Sequence, residues 1–97
     1  MSFVQIIEFR TDNFESIRQL EEEWRAATEG KRTLRRAIVA RDRSEPKRHL
    51  IFAFFDSYES AMENSNLPET VEFSEKQVAL MDGQISFRDL DVIEDRS

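Results

Sequence analysis

The stretch FDSYESAMENSNLPETVEF, residues 55–73, decides how this chain is organised. Ser57 or Asp56 stands where a helix N-cap belongs, and Tyr58, Ala61, Met62 and Ser65 follow at helical spacing. The pattern then breaks at Asn66-Leu67-Pro68. Asn66 with Glu69 has the spacing of a capping box, and Pro68 falls in a first turn, where its missing N–H costs nothing. The segment therefore reads as two helices with a specified break between them. Such a break either walls a pocket or bends a helical layer across a sheet.

Working outward, residues 48–55, RHLIFAFF, form an almost continuously apolar strand, as expected for a central strand buried on both faces. It is joined through RSEPK to another strand in residues 33–42, TLRRAIVARD. At the other end, FVQIIEFR (residues 3–10) is β-branched and aromatic. Phe3, Gln5, Ile7 and Phe9 lie on one side of it, and Val4, Ile6, Glu8 and Arg10 on the other. Apolar residues on both sides require a cover for both faces.

Between these strands, Asp12 with Glu15 predicts a capping box, and Phe14, Ile17, Leu20, Trp24 and Ala27 make one apolar helical stripe. Gly30 is placed to end that helix in a left-handed turn. The second half-helix runs to Asp82-Gly83, and Ile85 to Ile93 alternates as a closing strand. The order is β-α-β-β-α(α)-β, an α+β, ferredoxin-like split arrangement with a four-stranded antiparallel sheet and helices on one face. Ninety-seven residues suit a single domain, 1–97. A second copy is the expected cover for the bare sheet face, giving a homodimer.

Composition removes several function classes. Without cysteine there is no disulfide, thiol nucleophile or cysteine metal site. A net charge of −6 argues against nucleic acid. The average hides a segregation, since residues 31–48 hold eight basic residues against Asp42 and Glu45. That segment reads either as a solvated hairpin contacting acidic helices or as an anion or carboxylate site. No apolar run approaches the length of a membrane span, and MSFVQIIEFR lacks the features of a signal peptide, so the expected location is the cytoplasm.

The chain resembles the dimeric α/β-barrel superfamily, and within it the antibiotic-biosynthesis-monooxygenase-like branch. The resemblance rests on FVQIIEFR, FESIRQLEEEWRAAT, HLIFAFFDSYESAM, the broken helix and ISFRDLDVI, nearly the whole chain. It implies two four-stranded sheets packed face to face as a dimeric barrel, with a pocket between each sheet and its helices. It also implies a cofactor-independent monooxygenase or isomerase acting on a flat aromatic or polyketide-like molecule. The alternative is a homodimer that binds a small molecule without turnover, or that is purely structural. Fold alone does not choose among them.

Four residues are candidates for the chemistry. Trp24 lines a pocket or packs the core with its indole N–H paired. Asn64 offers an amide to a developing oxyanion, whereas Asn66 is explained as a cap. Tyr58 contacts a ligand or lays its ring on the sheet with its hydroxyl in water. His49, the one histidine, is a base near neutral pH if it faces a cavity, and otherwise a partly exposed strand end. A single histidine without cysteine is a poor haem or transition-metal ligand set, so no cofactor and no metal are expected. Asp89 and Asp91, on one face of the last strand, suit a solvated face or pairing with the basic hairpin.

Overall fold

A computed structural model describes residues 2–97. The elements follow in the order β1 (Ser2–Arg10), α1 (Phe14–Ala27), β2 (Arg36–Arg41), β3 (Arg48–Phe55), α2 (Tyr58–Ser65), α3 (Pro68–Val78) and β4 (Asp82–Val92). The four strands form one antiparallel sheet in the spatial order β2-β3-β1-β4. The two most apolar strands, β1 and β3, are thus central, and the arginine-bearing β2 is an edge.

Register assigns the faces. Phe3, Gln5, Ile7 and Phe9 of β1 lie opposite Phe55, Ala53, Ile51 and His49 of β3. Across the other side of β1, Gln5 and Ile7 meet Asp89 and Phe87 of β4. The helices pack on this face: Phe3, Ala53 and Phe55 cluster with Ala61 of α2, and the Phe14 ring of α1 stacks on His49. Phe9 is fully buried, and burial of such a ring contributes roughly 1.5–3 kcal/mol. The opposite face presents Val4, Ile6, Leu50, Phe52 and Phe54, none of them fully buried, with Ile38 and Leu90 exposed. An ion-pair chain crosses that face, Asp42–Arg48 at 2.6 Å, Arg48–Glu8 at 2.8 Å and Glu8–Arg88 at 3.7 Å.

The break between the last two helices is built from local chemistry, though not wholly the chemistry expected. The Ser57 hydroxyl accepts the Ser60 N–H at 3.0 Å and caps α2. Pro68 opens α3, but the capping position is Leu67, without a side-chain bond. Asn66 instead closes α2, its N–H bonded to Met62 and Glu63 carbonyls. The Asp12–Glu15 box also fails to form. Asn13 is the cap residue of α1, and its N–H donates to the Thr11 hydroxyl at 3.0 Å. Asp12 pairs with Lys47 at 2.7 Å instead. At the far end, the Thr28 hydroxyl donates to the Trp24 carbonyl at 2.7 Å, and Gly30 turns the chain at φ 82°. That positive φ is the conformation only glycine adopts without strain.

Candidate functional site

A cavity of about 660 Å³ lies between the sheet and the helices. Its floor is Ile7, Ile51, Ala53, Val39 and Phe87, and its walls are Phe14, Ile17 and Trp24 of α1 with Phe73 and Val78 of α3. Its size, and apolar walls with a few polar groups, are those of a small-molecule site. The helical break helps form it. Asn64 and Ser65 end α2 at its edge, while α3 leaves in a new direction and contributes Thr70, Phe73, Ser74 and Gln77.

Three of the four candidate residues line this cavity: Trp24, His49 and Asn64. Trp24 is only 7 % exposed. Its indole N–H donates to the Thr70 hydroxyl at 2.9 Å, and its ring stacks with Phe73 at 5.8 Å. The Arg32 guanidinium sits 5.9 Å from the Trp24 ring centre, within cation–π range. Trp24 is thus both a packed residue and a rigid wall.

Asn64 is 6 % exposed. Its Oδ1 accepts the Thr33 N–H at 3.1 Å, which fixes the orientation of the amide. The Nδ2 group, with two N–H donors, is the part of the side chain left for other partners.

His49 is not the partly exposed strand end that its position suggests, since only 3 % of it is exposed. Its ring lies between Phe14 (4.7 Å, 3° between planes) and Phe9 (5.5 Å, 13°). Nδ1 lies 2.9 Å from the Lys47 carbonyl oxygen. A carbonyl only accepts, so in the neutral ring Nδ1 carries the proton and Nε2 keeps its lone pair. Tyr58 stands apart. It is 48 % exposed, meets Phe3 edge-on at 5.7 Å, and is absent from the cavity lining.

Gln5, facing the same cavity, donates from Nε2 to Asp89 at 3.0 Å. Asp89 is therefore engaged across the β1–β4 pair rather than with the basic hairpin. Arg18 and Arg41 reach the lining from α1 and β2, as do Glu21 and Glu22. Beside Thr70, the Glu69 carboxylate is held below its ordinary value by the Lys31 ammonium 2.6 Å away. Among the described residues, no three His, Cys, Asp or Glu side chains gather as a metal site.

Sequence reasoning missed Thr70, Phe73 and Gln77 as lining residues, although the helical placement of α3 was available. It also missed the aromatic sandwich, which needs the Phe9–His49 register and the docking of Phe14 together.

No protein-family model matches the chain, and no curated protein matches it significantly. Solved structures do. The cofactor-independent oxygenase SnoaB from Streptomyces nogalater superposes with a TM-score of 0.80 at 9 % identity, over 97 % of this chain and 95 % of that one. Rv0793 from Mycobacterium tuberculosis gives 0.79 at 14 % identity, with all of both chains covered. A provisionally assigned antibiotic biosynthesis monooxygenase from Nitrosomonas europaea gives 0.78 at 10 % identity, covering 95 % of this chain and 90 % of that one. The chain has the ferredoxin-like fold of antibiotic-biosynthesis-monooxygenase-like proteins, as its strand and helix order foretold. At these identities the likeness is one of fold.

Proposed function

We propose that the protein is a cofactor-independent oxygenase acting on a flat, mainly apolar aromatic molecule held between the sheet and the helices. The observation that carries this reading is the apolar cavity of about 660 Å³ onto which His49, Asn64 and Trp24 converge. In this reading, His49 Nε2 takes a proton from an acidified methylene of an anthrone-type substrate. The adjoining oxygen then becomes an oxyanion, to which the Asn64 Nδ2 group donates. Trp24 and Phe73 hold the ring plane. The electron-rich carbanion reacts with dioxygen, and the methylene with one O2 yields a carbonyl and one water. Desolvation by the aromatic walls favours the step.

The working unit is a homodimer of single 1–97 domains closed through the Val4, Ile6, Phe52 and Phe54 face into a dimeric α/β barrel. No helix of the described residues is long and apolar enough to cross a membrane. The cytoplasm is the proposed location, in keeping with the absence of cysteine.

Oxygen uptake tests the reading. Purified protein with a panel of anthrones should consume one O2 per molecule oxidised, above the rate of the spontaneous reaction. Tight binding without uptake supports the second reading, a non-catalytic small-molecule binder. The burial of the cavity-lining His49 favours the enzyme.

A further inference from the structure

Among the side chains that line the main cavity are two amides, each fixed in one orientation by a partner outside the lining. The carbonyl half of Asn64 is taken up by the Thr33 N–H, so its N–H donors remain. Gln5 is held the opposite way. Its Nε2 donates to Asp89 Oδ1 at 3.0 Å. A carboxylate accepts without donating, so the amide cannot turn over and keep that bond. Oε1 is the half that remains. We propose that Gln5 is a specificity-determining residue, whose Oε1 accepts a hydrogen bond from a hydroxyl on the aromatic ligand. The proposal rests on the aromatic-ligand reading above and adds one feature of the ligand, a hydroxyl donor on its ring system.

Gln5 is half-buried on β1, a central strand, and shares its face with Phe3, Ile7 and Phe9. The cavity floor around it is apolar: Ala53 is its partner on β3, and Ile7, Ile51 and Phe87 complete the surface. A polar group drawn out of water is costly unless hydrogen bonds replace those it loses. The cross-strand bond to Asp89 answers the nitrogen alone. Within the described residues no donor reaches the oxygen, and a ligand hydroxyl in the cavity supplies one.

Register sets where that hydroxyl lies on the ligand. His49 stands opposite Phe9, four residues along β1 from Gln5, a separation of about 13 Å along the sheet. The hydroxyl read by Gln5 is therefore remote from the carbon that meets His49. Such a span suits a fused system of several rings rather than a single ring. Asp89, exposed and outside the lining, is a positioning residue in this arrangement.

Two uncharged probes that differ in the one donor test the proposal. 2-Naphthol carries it, and 2-methoxynaphthalene keeps the oxygen without the proton. Equilibrium dialysis at neutral pH gives the ratio of their dissociation constants, and a merely structural change moves both alike. The wild type should prefer 2-naphthol by about three- to tenfold, the range of one neutral hydrogen bond. Gln5→Met keeps the length of the side chain without the acceptor and should abolish the preference, with 2-methoxynaphthalene bound as before. Asp89→Lys leaves Gln5 in place but removes the acceptor that fixes its amide. An amide free to turn presents Oε1 about half the time, so the preference should fall about twofold or more. Equal binding of the two probes to the wild type, or a preference that survives Gln5→Met, would overturn the role of Gln5 while leaving the aromatic cavity intact. A preference undiminished in Asp89→Lys would overturn the role of Asp89. If neither probe binds, the aromatic-ligand reading fails and this proposal fails with it.

Discussion

Replacing Thr70 by Val keeps the shape of the side chain and removes the hydroxyl that accepts the Trp24 indole N–H at 2.9 Å. Trp24 is almost fully buried, so the substitution leaves a donor without its partner. An unpaired buried group of this kind costs about 1–3 kcal/mol. For a domain of about 100 residues, each 1 kcal/mol lowers Tm by about 4–8 °C. Trp24→Phe removes the donor itself, together with part of the ring packed on Phe73, and costs about 1 kcal/mol or more through imperfect repacking. Once Trp24 is gone, Thr70→Val leaves no indole unpaired and should cost under about 0.5 kcal/mol. The coupling energy from the double-mutant cycle is therefore about 1 kcal/mol or more. Urea unfolding of the four proteins at one fixed protein concentration measures it, since a self-associating chain gains stability with concentration. Equal cost of Thr70→Val in both backgrounds would refute the argument that this bond fixes the Trp24 wall.

Three further outcomes are expected. His49→Phe should fold with little loss of stability, because a third ring fits between Phe9 and Phe14 and the Lys47 carbonyl still accepts the Thr11 N–H at 3.0 Å. Its kcat/KM for an oxidised anthrone should nevertheless fall about 10²–10⁴-fold, measured by oxygen uptake. The Arg48 guanidinium holds the Glu8 carboxyl below its ordinary value of 4.5, and backbone N–H bonds together with Arg48 hold Asp42 below 3.8. Both groups bind protons more readily when unfolded. Their stabilisation is complete above those ordinary values and is lost as pH falls through the lowered ones. The urea midpoint should decline over that acid range, and more gently in Arg48→Gln. Ser57→Ala removes the cap that accepts the Ser60 N–H and should cost about 1 kcal/mol in thermal or urea unfolding.

The fold was legible where local chemistry and periodicity agreed. The strand FVQIIEFR, the Phe14–Trp24 stripe and the restart at Pro68 are each specified within a few residues of themselves. The capping boxes misled, because Asp12 found Lys47 and Asn66 found the carbonyls of α2, partners that spacing alone does not reveal. In the site, Trp24 and Asn64 were within reach of sequence reasoning, since each is a polar-tipped residue on a helix facing the sheet. The burial of His49 was not. It depends on the register that sets Phe9 opposite His49 and on the docking of Phe14 over the same ring. Tyr58 follows the helical spacing yet packs edge-on against Phe3, away from the cavity.

Trp24 is the sole tryptophan and lines the cavity, so its fluorescence reports occupation of that cavity directly. Titration with a planar anthraquinone should quench it saturably, with one ligand bound per chain. Quenching that rises linearly without saturation, or a stoichiometry unrelated to the chain, would contradict the claim that this space is a binding site for flat aromatic molecules.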